Sequence, residues 1–335
     1  MPTRRLGIDL GTAMARLYTR RQGLMFDEPT TVAWVPGEGG RVLSIGHRAV
    51  EAAANLPAGA EVTRPVASPL IVDLPAATAL VGNLVDTARI GRSLFRPEAI
   101  LAVPPGASTR ERRALLGAAI AAGARRSWLV DAGTAAILGA GLDPSHQVCA
   151  VLDIGAGAFQ FTVQDAAGTV VQMTLAGSGE ALDRAIVKHY QDRHSLHLEQ
   201  RVAEQVKRAV GSALPLEVPL STDVLVSDLE GRRQTWRRVT SGDVTEALTH
   251  PLDGVVAAVQ SALDMVPEGQ RRAIAERGMT LVGGGARLRG LDRLLSERLE
   301  LRVSVAADPE TCVVRGAVAA LETMMVFRER QLYLR

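Results

Sequence analysis

Three stretches of the chain repeat one alternation of hydrophobic and polar character: a short apolar run, an acidic or small residue near its end, then a glycine turn. They are Arg5–Ala13 (RLGIDLGTA), Ala150–Ala158 (AVLDIGAGA) and Met279–Leu288 (MTLVGGGARL). A brief apolar run bounded by glycines is the pattern of a buried strand, so each stretch predicts a strand, a turn and then a second strand or a helix. The first two are the more alike and stand about 140 residues apart, which predicts an internally duplicated α/β fold. Helical periodicity fills the space between them, as in Ser108–Ala124, where Ser108 or Thr109 is placed to cap a helix and Glu111 falls in its first turn. Strands alternating with helices predict mixed sheets covered on both faces.

Two stretches, Trp34–Ser68 and Leu214–Gly242, are richer in Pro, Gly and charge than their neighbours and read as small inserted subdomains. A chain of 335 residues suits two lobes. The expected division gives lobe I a core of 1–33, 69–145 and 315–335 with 34–68 as its small subdomain. Lobe II then has a core of 146–182 and 243–314, with 183–242 inserted. The tail Glu322–Arg335 (ETMMVFRERQLYLR) reads as a docked terminal helix, with a contact surface as the alternative.

Composition narrows the classes. The chain is 47% hydrophobic, 22% charged and only 3% aromatic, so Ala, Val and Leu must fill its core. A net charge of +2 gives no case for a nucleic-acid partner. No apolar window approaches the roughly 18 residues of a membrane span. Asp9 also interrupts the opening before a signal-peptide core can form, so a cytoplasmic location is expected. Cys149 and Cys312 lack C-x-x-C spacing and sit in apolar surroundings, as reduced core thiols do. His189, His194 and His197 cluster without acidic or thiol companions, which suits a solvated helix end better than a metal. Lysine occurs only at Lys188 and Lys207, with Arg in every other such position; a geometry that a planar guanidinium does not meet is one reason for a Lys to survive, and chance survival is the equal alternative.

The glycine turns carry the candidate chemistry. Asp9, Gly11 and Thr12 on one lobe, and Asp153, Gly155 and Gly157 on the other, are expected to line a cleft suited to a nucleoside polyphosphate. Glycines let backbone N–H groups approach anionic oxygens, and the aspartates can hold Mg²⁺ through its waters. Gly283, Gly284 and Gly285 extend the set, although three glycines also suit a plain tight turn between strand and helix.

At these residues the chain resembles the actin, sugar-kinase and heat-shock-chaperone ATPase superfamily, and within it the MreB family of bacterial actins, nearly end to end. GIDLGTA and LDIGAGA look like the two phosphate motifs, and LVGGGARLRGLDRLL like the adenosine motif. AADPETCVVRGAVAALE, RVAEQVKRAVGSA and AGARRSWLVDAGTAAILGAGL look like the C-terminal helix entry, the nucleotide-flanking helix and the interlobe connector. The resemblance implies an actin-like two-lobed α/β fold, each lobe a mixed sheet flanked by helices with a smaller inserted subdomain. It implies ATP or ADP with Mg²⁺, held by Asp9, Gly11, Thr12, Ala13, Asp153, Gly155, Gly157, Glu204, Lys207, Gly283, Gly284 and Gly285, with Asp9 and Asp153 meeting Mg²⁺ through water. Glu204 and Lys207, spaced i to i+3 on one helical face, match the pair that reaches the ribose in that family; a solvated ion pair is the plainer reading. The implied partners are further copies in a filament, other MreB-type proteins and cell-wall synthesis membrane proteins at the inner face of the cytoplasmic membrane. The implied role is cell shape or the organisation of cell-wall synthesis; the alternative is a non-polymerising actin-like scaffold or regulator that binds nucleotide.

Two motifs depart from that family. In the second phosphate turn, Ala156 adds a Cβ and Ala158 removes a hydroxyl, each lost hydrogen bond being worth about 0.5–1.5 kcal/mol. In the connector, where the family reads I-E-E-P-x-A-A-A, this chain reads Val130, Asp131, Ala132, Gly133, Thr134, Ala135, Ala136 and Ile137. Ala132 replaces the acid that orients the attacking water, while Asp131 aligns with the acid before it. Loss of such a group costs about 10²–10⁴ in rate, so slow or absent hydrolysis is expected. The resemblance also implies a membrane contact. The first strand begins by about Leu6 with no amphipathic helix ahead of it, which leaves the loop of Ala88–Ile100. There Leu94 and Phe95 precede Arg96 and Pro97, with Arg89 and Arg92 nearby: two apolar side chains for the acyl boundary and guanidinium groups for anionic head groups. Burial of Leu94 and Phe95 on the lobe itself is the alternative.

Overall fold

Two five-stranded sheets of the same strand order organise the chain. The computed structural model describes residues 5–37, 40–67, 70–89 and 96–332, with backbone alone for 89 and 324–332. The chain divides into two compact units, Met1–Gln147 with Glu310–Arg335, and Val148–Pro309.

In the first unit β1 (Arg5–Leu10), β2 (Met14–Thr19), β3 (Gly23–Pro29), β4 (Glu98–Val103) and β5 (Arg126–Asp131) lie in the order β5-β4-β1-β2-β3. The β1-β2-β3 part is antiparallel, and β4 and β5 extend it parallel to β1. Every residue of β4 is buried, as the unbroken run AILAV requires of a central parallel strand. Glu98 at its start is the polar exception, and its carboxylate pairs with Arg125 at 2.5 Å. Helices α1 (Leu74–Arg89), α2 (Thr109–Ala121) and α3 (Ala132–Gly139) follow. Ser108 caps α2: its hydroxyl accepts from the Glu111 N–H and its own N–H donates to the Glu111 carboxylate at 2.6 Å, a reciprocal capping box. Leu6, Ile8 and Leu17 of the sheet pack with Leu80 and Leu84 of α1 and Leu115 of α2.

The second unit repeats the plan. Here β6 (Cys149–Ile154), β7 (Phe159–Asp165), β8 (Gly168–Leu175), β9 (Met279–Val282) and β10 (Val303–Val305) lie in the order β8-β7-β6-β9-β10, again antiparallel on one side of the central strand and parallel on the other. Helices α4 (Gly179–His194), α5 (Gln200–Val210) and α6 (Ser241–Asp264) lie between β8 and β9. The duplication expected from two similar turns is therefore a duplication of topology. The core joins Leu152, Phe159 and Phe161 to Ile186 of α4, Val206 of α5 and Val259 of α6. Each unit also carries a three-stranded sheet: Val32–Val35 with Arg41–Ile45 and Glu61–Thr63 in the first, and Leu196–His197 with Ser221–Asp228 and Gln234–Thr240 in the second.

Cys149 and Cys312 are buried free thiols. His189 and His194 are less solvated than a helix end suggests, because both rings lie against the buried Tyr190, at centroid distances of 6.0 and 5.1 Å. Among the described residues no helix is long and apolar enough to cross a membrane. Leu94 and Phe95 lie outside the described residues.

The C-terminal helix (Cys312–Leu332) is seated by glycines. A Cβ at Gly316 would stand 1.7 Å from the Ala135 carbonyl oxygen, and one at Gly139 would stand 1.8 Å from that of Cys312. A Cβ at Gly7 of β1 would meet the Val314 oxygen at 2.5 Å. Backbone there touches backbone, so nothing flexible can give way. Gly316→Ala and Gly139→Ala are each expected to destabilise the protein by about 2 kcal/mol or more in urea melts. Gly117→Ala, on α2 with open space around it, should be neutral or stabilising by up to about 1 kcal/mol. Equal midpoints for all three would contradict this packing.

Candidate functional site

In the first unit β1 delivers Asp9 to the end of the sheet and then turns through Gly11, Thr12 and Ala13 into β2. The Gly11 N–H donates to the Met14 carbonyl at 3.1 Å, and a Cβ at position 11 would lie 2.9 Å from that oxygen. Thr30, just beyond β3, ties the turn down: its hydroxyl donates to the Gly11 carbonyl at 2.6 Å and its N–H to that of Ala13 at 2.9 Å. Asp9, Arg16 and Asp27 stand directly opposite one another on β1, β2 and β3, forming a cross-strand row of acid, base and acid. Arg16 Nε lies 2.9 Å from Asp27 Oδ1. Burial pushes the Asp9 carboxyl up to about 6; the Arg16 guanidinium opposes that rise and the Asp27 charge adds to it.

The second unit builds the same turn. Asp153 stands on β6 two residues before Gly155, whose N–H donates to the Ala158 carbonyl at 3.1 Å, and a Cβ at 155 would lie 2.8 Å from that oxygen. Because β9 runs parallel beside β6, the three-glycine turn arrives next to it. Gly283 has φ of +82°, and a Cβ there would lie 2.2 Å from Asp153 Oδ1. A Cβ at Gly285 would lie 2.2 Å from Ile154 Cγ2, whereas Gly284 has no atom within 4 Å of its would-be Cβ. Asp153, Gly155, Gly157, Gly283, Gly284 and Gly285 therefore gather at one end of one sheet, and of the three glycines at 283–285 it is Gly284 that faces open space.

The start of α4 lies against that turn. The N–H groups of Gly179 and Glu180 donate to the carbonyls of Gly155 and Ala156, both at 2.9 Å, and that of Ala181 donates to the Ser178 hydroxyl at 3.0 Å. The N–H groups of Gly179 and Glu180, which a helix leaves without an internal partner, hold the turn in shape, while that of Ala181 is capped by Ser178. The two α5 residues singled out by sequence have different partners. Glu204 pairs at the surface with Arg208 at 3.2 Å. Lys207 Nζ is largely buried, 2.7 Å from Asp183 Oδ1 and 2.8 Å from the Gly179 carbonyl. The other lysine, Lys188, is exposed and pairs with Asp192 at 2.6 Å. Burial pushes the Asp183 carboxyl up, and the Lys207 ammonium pulls it back. Sequence reasoning passed over Asp183; its signal was an acid within the apolar stripe of Leu182, Ile186 and Tyr190.

Asp131 ends β5 and precedes α3 without a side-chain capping bond, its Oδ1 3.5 Å from Arg112 Nη2. Ala132 opens α3 with a methyl group that can neither accept nor donate a hydrogen bond. Each unit thus presents a side-chain-poor turn, able to bring backbone N–H groups to anionic oxygens, two residues after an aspartate. Asp9, an oxygen donor whose charge is poorly solvated, fits a hard cation such as Mg²⁺.

The Asp9 environment has a pH signature. Its folded value of about 6 lies above its ordinary 3.8, so between these the folded protein holds a proton that the unfolded chain releases, and stability falls as pH rises through that window. Asp9→Asn removes this dependence. Without nucleotide or divalent cation the variant should be more stable than the parent by about 1–3 kcal/mol at neutral pH, the gain vanishing below a pH of about 4. Denaturant melts across that range check it; equal stability at neutral pH would show that the carboxylate is not held against its solvation.

Comparison with known proteins agrees with this architecture. The family model described as MreB/Mbl protein matches residues 3–329. The cell shape-determining protein MreB of Escherichia coli (strain K12) is 35% identical over 323 residues, covering 95% of this chain and 93% of that protein. The structure of MreB5 of Spiroplasma citri bound to ADP superposes with a TM-score of 0.87 at 23% identity, covering 98% of each chain. That of the MamK double helical filament gives 0.76 at 20% identity, covering 96% of this chain and 99% of the other, and both likenesses bear on the fold. With a whole-length family match and a curated relative above one-third identity, the chain belongs to the MreB/Mbl protein family.

Proposed function

We propose that this protein is a bacterial actin that binds ATP or ADP with Mg²⁺, assembles with copies of itself, and serves cell shape or the organisation of cell-wall synthesis while hydrolysing nucleotide slowly or not at all. The observation that carries the reading is the repeated turn: an aspartate, then a glycine whose N–H closes on the carbonyl three residues later, once in each unit. A chance phosphate-like turn has no reason to recur at the same place in the same sheet order. The named relatives support the role, one being a cell shape-determining protein, one a structure with ADP and one a filament.

In this reading the turns of Gly11, Thr12 and Ala13 and of Gly155 and Gly157 meet the phosphates, through backbone N–H groups other than those of Gly11 and Gly155, which close the turns. Asp9 and Asp153 hold Mg²⁺ through its waters. Gly283, Gly284 and Gly285 leave room for the nucleoside, with Glu204 on its flank, while Lys207 is engaged by Asp183 and the Gly179 carbonyl. Mg²⁺ would neutralise phosphate charge; the chain's own contribution is to orient the nucleotide. Ala132 can neither accept a proton nor position water, which separates binding from turnover. Peripheral attachment to the inner face of the cytoplasmic membrane through Leu94 and Phe95 belongs to the same reading, because a filament repeats one weak loop contact many times.

Calorimetry should detect ATP or ADP binding at millimolar nucleotide or below, and ATP with Mg²⁺ should bring the protein into the pellet on ultracentrifugation. No heat at millimolar nucleotide overturns the reading; binding without pelleting turns it into a nucleotide-bound scaffold. Phosphate release should be slow, and Ala132→Glu should raise it by about 10-fold or more. Brisk release by the unaltered protein would assign water positioning to another acid. Leu94→Ser with Phe95→Ser should reduce cosedimentation with anionic liposomes, and equal binding would remove that loop from the attachment.

A further inference from the structure

We propose that Lys207 and Asp183 are positioning residues for the second glycine turn, acting through the first residues of α4 rather than by touching the ligand. The inference rests on the nucleotide-binding reading above and deepens it.

The chain of contacts is short and lies wholly within the second unit. Lys207 Nζ, on α5, reaches Asp183 Oδ1 at 2.7 Å and the Gly179 carbonyl at 2.8 Å, both on α4. The same residue, Gly179, donates its N–H to the Gly155 carbonyl, and its neighbour Glu180 donates to the Ala156 carbonyl, both at 2.9 Å. Gly179 is thus clamped by its carbonyl to the ammonium group and by its N–H to the turn. A Cβ at position 179 would lie 3.2 Å from Ala156 Cα and from the Gly155 oxygen, so side-chain-free backbone lets the helix start come this close.

Burial gives the pair its leverage. The Asp183 side chain is 5% exposed and that of Lys207 is 14% exposed. Neither charge is well solvated, so each depends on the other, and removing one leaves a charge that the surroundings cannot satisfy. The geometry also accounts for the identity of the base. A tetrahedral ammonium can direct separate N–H bonds at a carboxylate and a carbonyl on the same helix, whereas a planar guanidinium presents a fixed fork. In a chain with 38 basic residues and only two lysines, the buried one occupies this position. The side chains of Ala156 and Ala158 offer no hydrogen-bonding group, so backbone bonds such as those from Gly179 and Glu180 hold the turn.

The test compares ligands with and without phosphate. Lys207→Met and Asp183→Asn should each weaken ATP and ADP binding by roughly tenfold or more while leaving adenosine binding unchanged, and the double variant should be no worse than the weaker single one. Direct contact of Lys207 with the ribose predicts otherwise: Lys207→Met would weaken adenosine too, and Asp183→Asn would change nothing. Either of those results overturns the proposal. Amide hydrogen exchange without nucleotide supplies a second readout. Both variants should show faster exchange at residues 155–158 and parent-like exchange in β7 and β8, whereas parent-like rates at the turn would refute the brace. Should Lys207→Met fail to fold, Asp183→Asn, which keeps the side chain's shape, carries both readouts. If the parent protein itself binds neither ATP nor ADP, the nucleotide reading falls and the exchange rates alone decide whether the brace exists.

Discussion

Backbone meets backbone with no side chain between them where the C-terminal helix docks and where the two aspartate–glycine turns fold back. Gly7, Gly139 and Gly316 let the C-terminal helix lie directly on β1 and α3. Gly11 and Gly155 let a strand fold back on the carbonyl three residues on, and Gly179 lets a helix start press against the second of those turns. A methyl group at Gly7, Gly11, Gly139, Gly155 or Gly316 would stand closer than real contacts come, and at Gly179 it would make a tight contact. The same close approach that fixes the sheets also strips the turns of side chains. Polar backbone is thereby left at the end of each central strand, where an anionic ligand finds donors and little steric opposition.

Much of this was legible in the sequence. The D-x-G turns, their repetition and the three-glycine stretch announced themselves because strand and turn signals are local: an apolar run, an acid and a glycine occupy adjacent positions. Ser108 and Glu111 were legible for the same reason, since a capping box spans four residues. The cross-strand row of Asp9, Arg16 and Asp27 was not, because opposition across strands depends on register, and β2 and β3 shift register between Leu17 and Tyr18. Lys207 stood out by rarity, but its partners did not. Periodicity says which face of a helix a residue occupies, not which side chain from another helix will meet it. Asp183 left a signal that is easily passed over, since an acid in an apolar stripe looks like an interruption until its counter-charge is seen.

The electrostatics divide into two kinds. Asp183 has its counter-charge inside the protein and so belongs to the scaffold. Asp9 has, among the described residues, a neighbouring arginine that is itself engaged by Asp27, and burial leaves its carboxylate poorly compensated. A group that costs stability in the free protein is one whose charge a bound cation can relieve, which is how the account connects a destabilising residue to a binding role. Ala132 marks the opposite case, a position where the account expects chemistry to be missing. The proposal of slow turnover rests on that alanine, whose methyl group can neither accept a proton nor position water.

The central claim is that the two turns hold the phosphates of one nucleotide, and a crystal structure of the protein grown with ADP and Mg²⁺ tests it most directly. The account predicts phosphate oxygens within about 3.2 Å of backbone nitrogens in both residues 11–13 and residues 155–157. It also predicts a hydrated Mg²⁺ facing Asp9 and Asp153, and the nucleoside beside Gly284. A nucleotide bound elsewhere, or phosphates touching only one of the two turns, would contradict it.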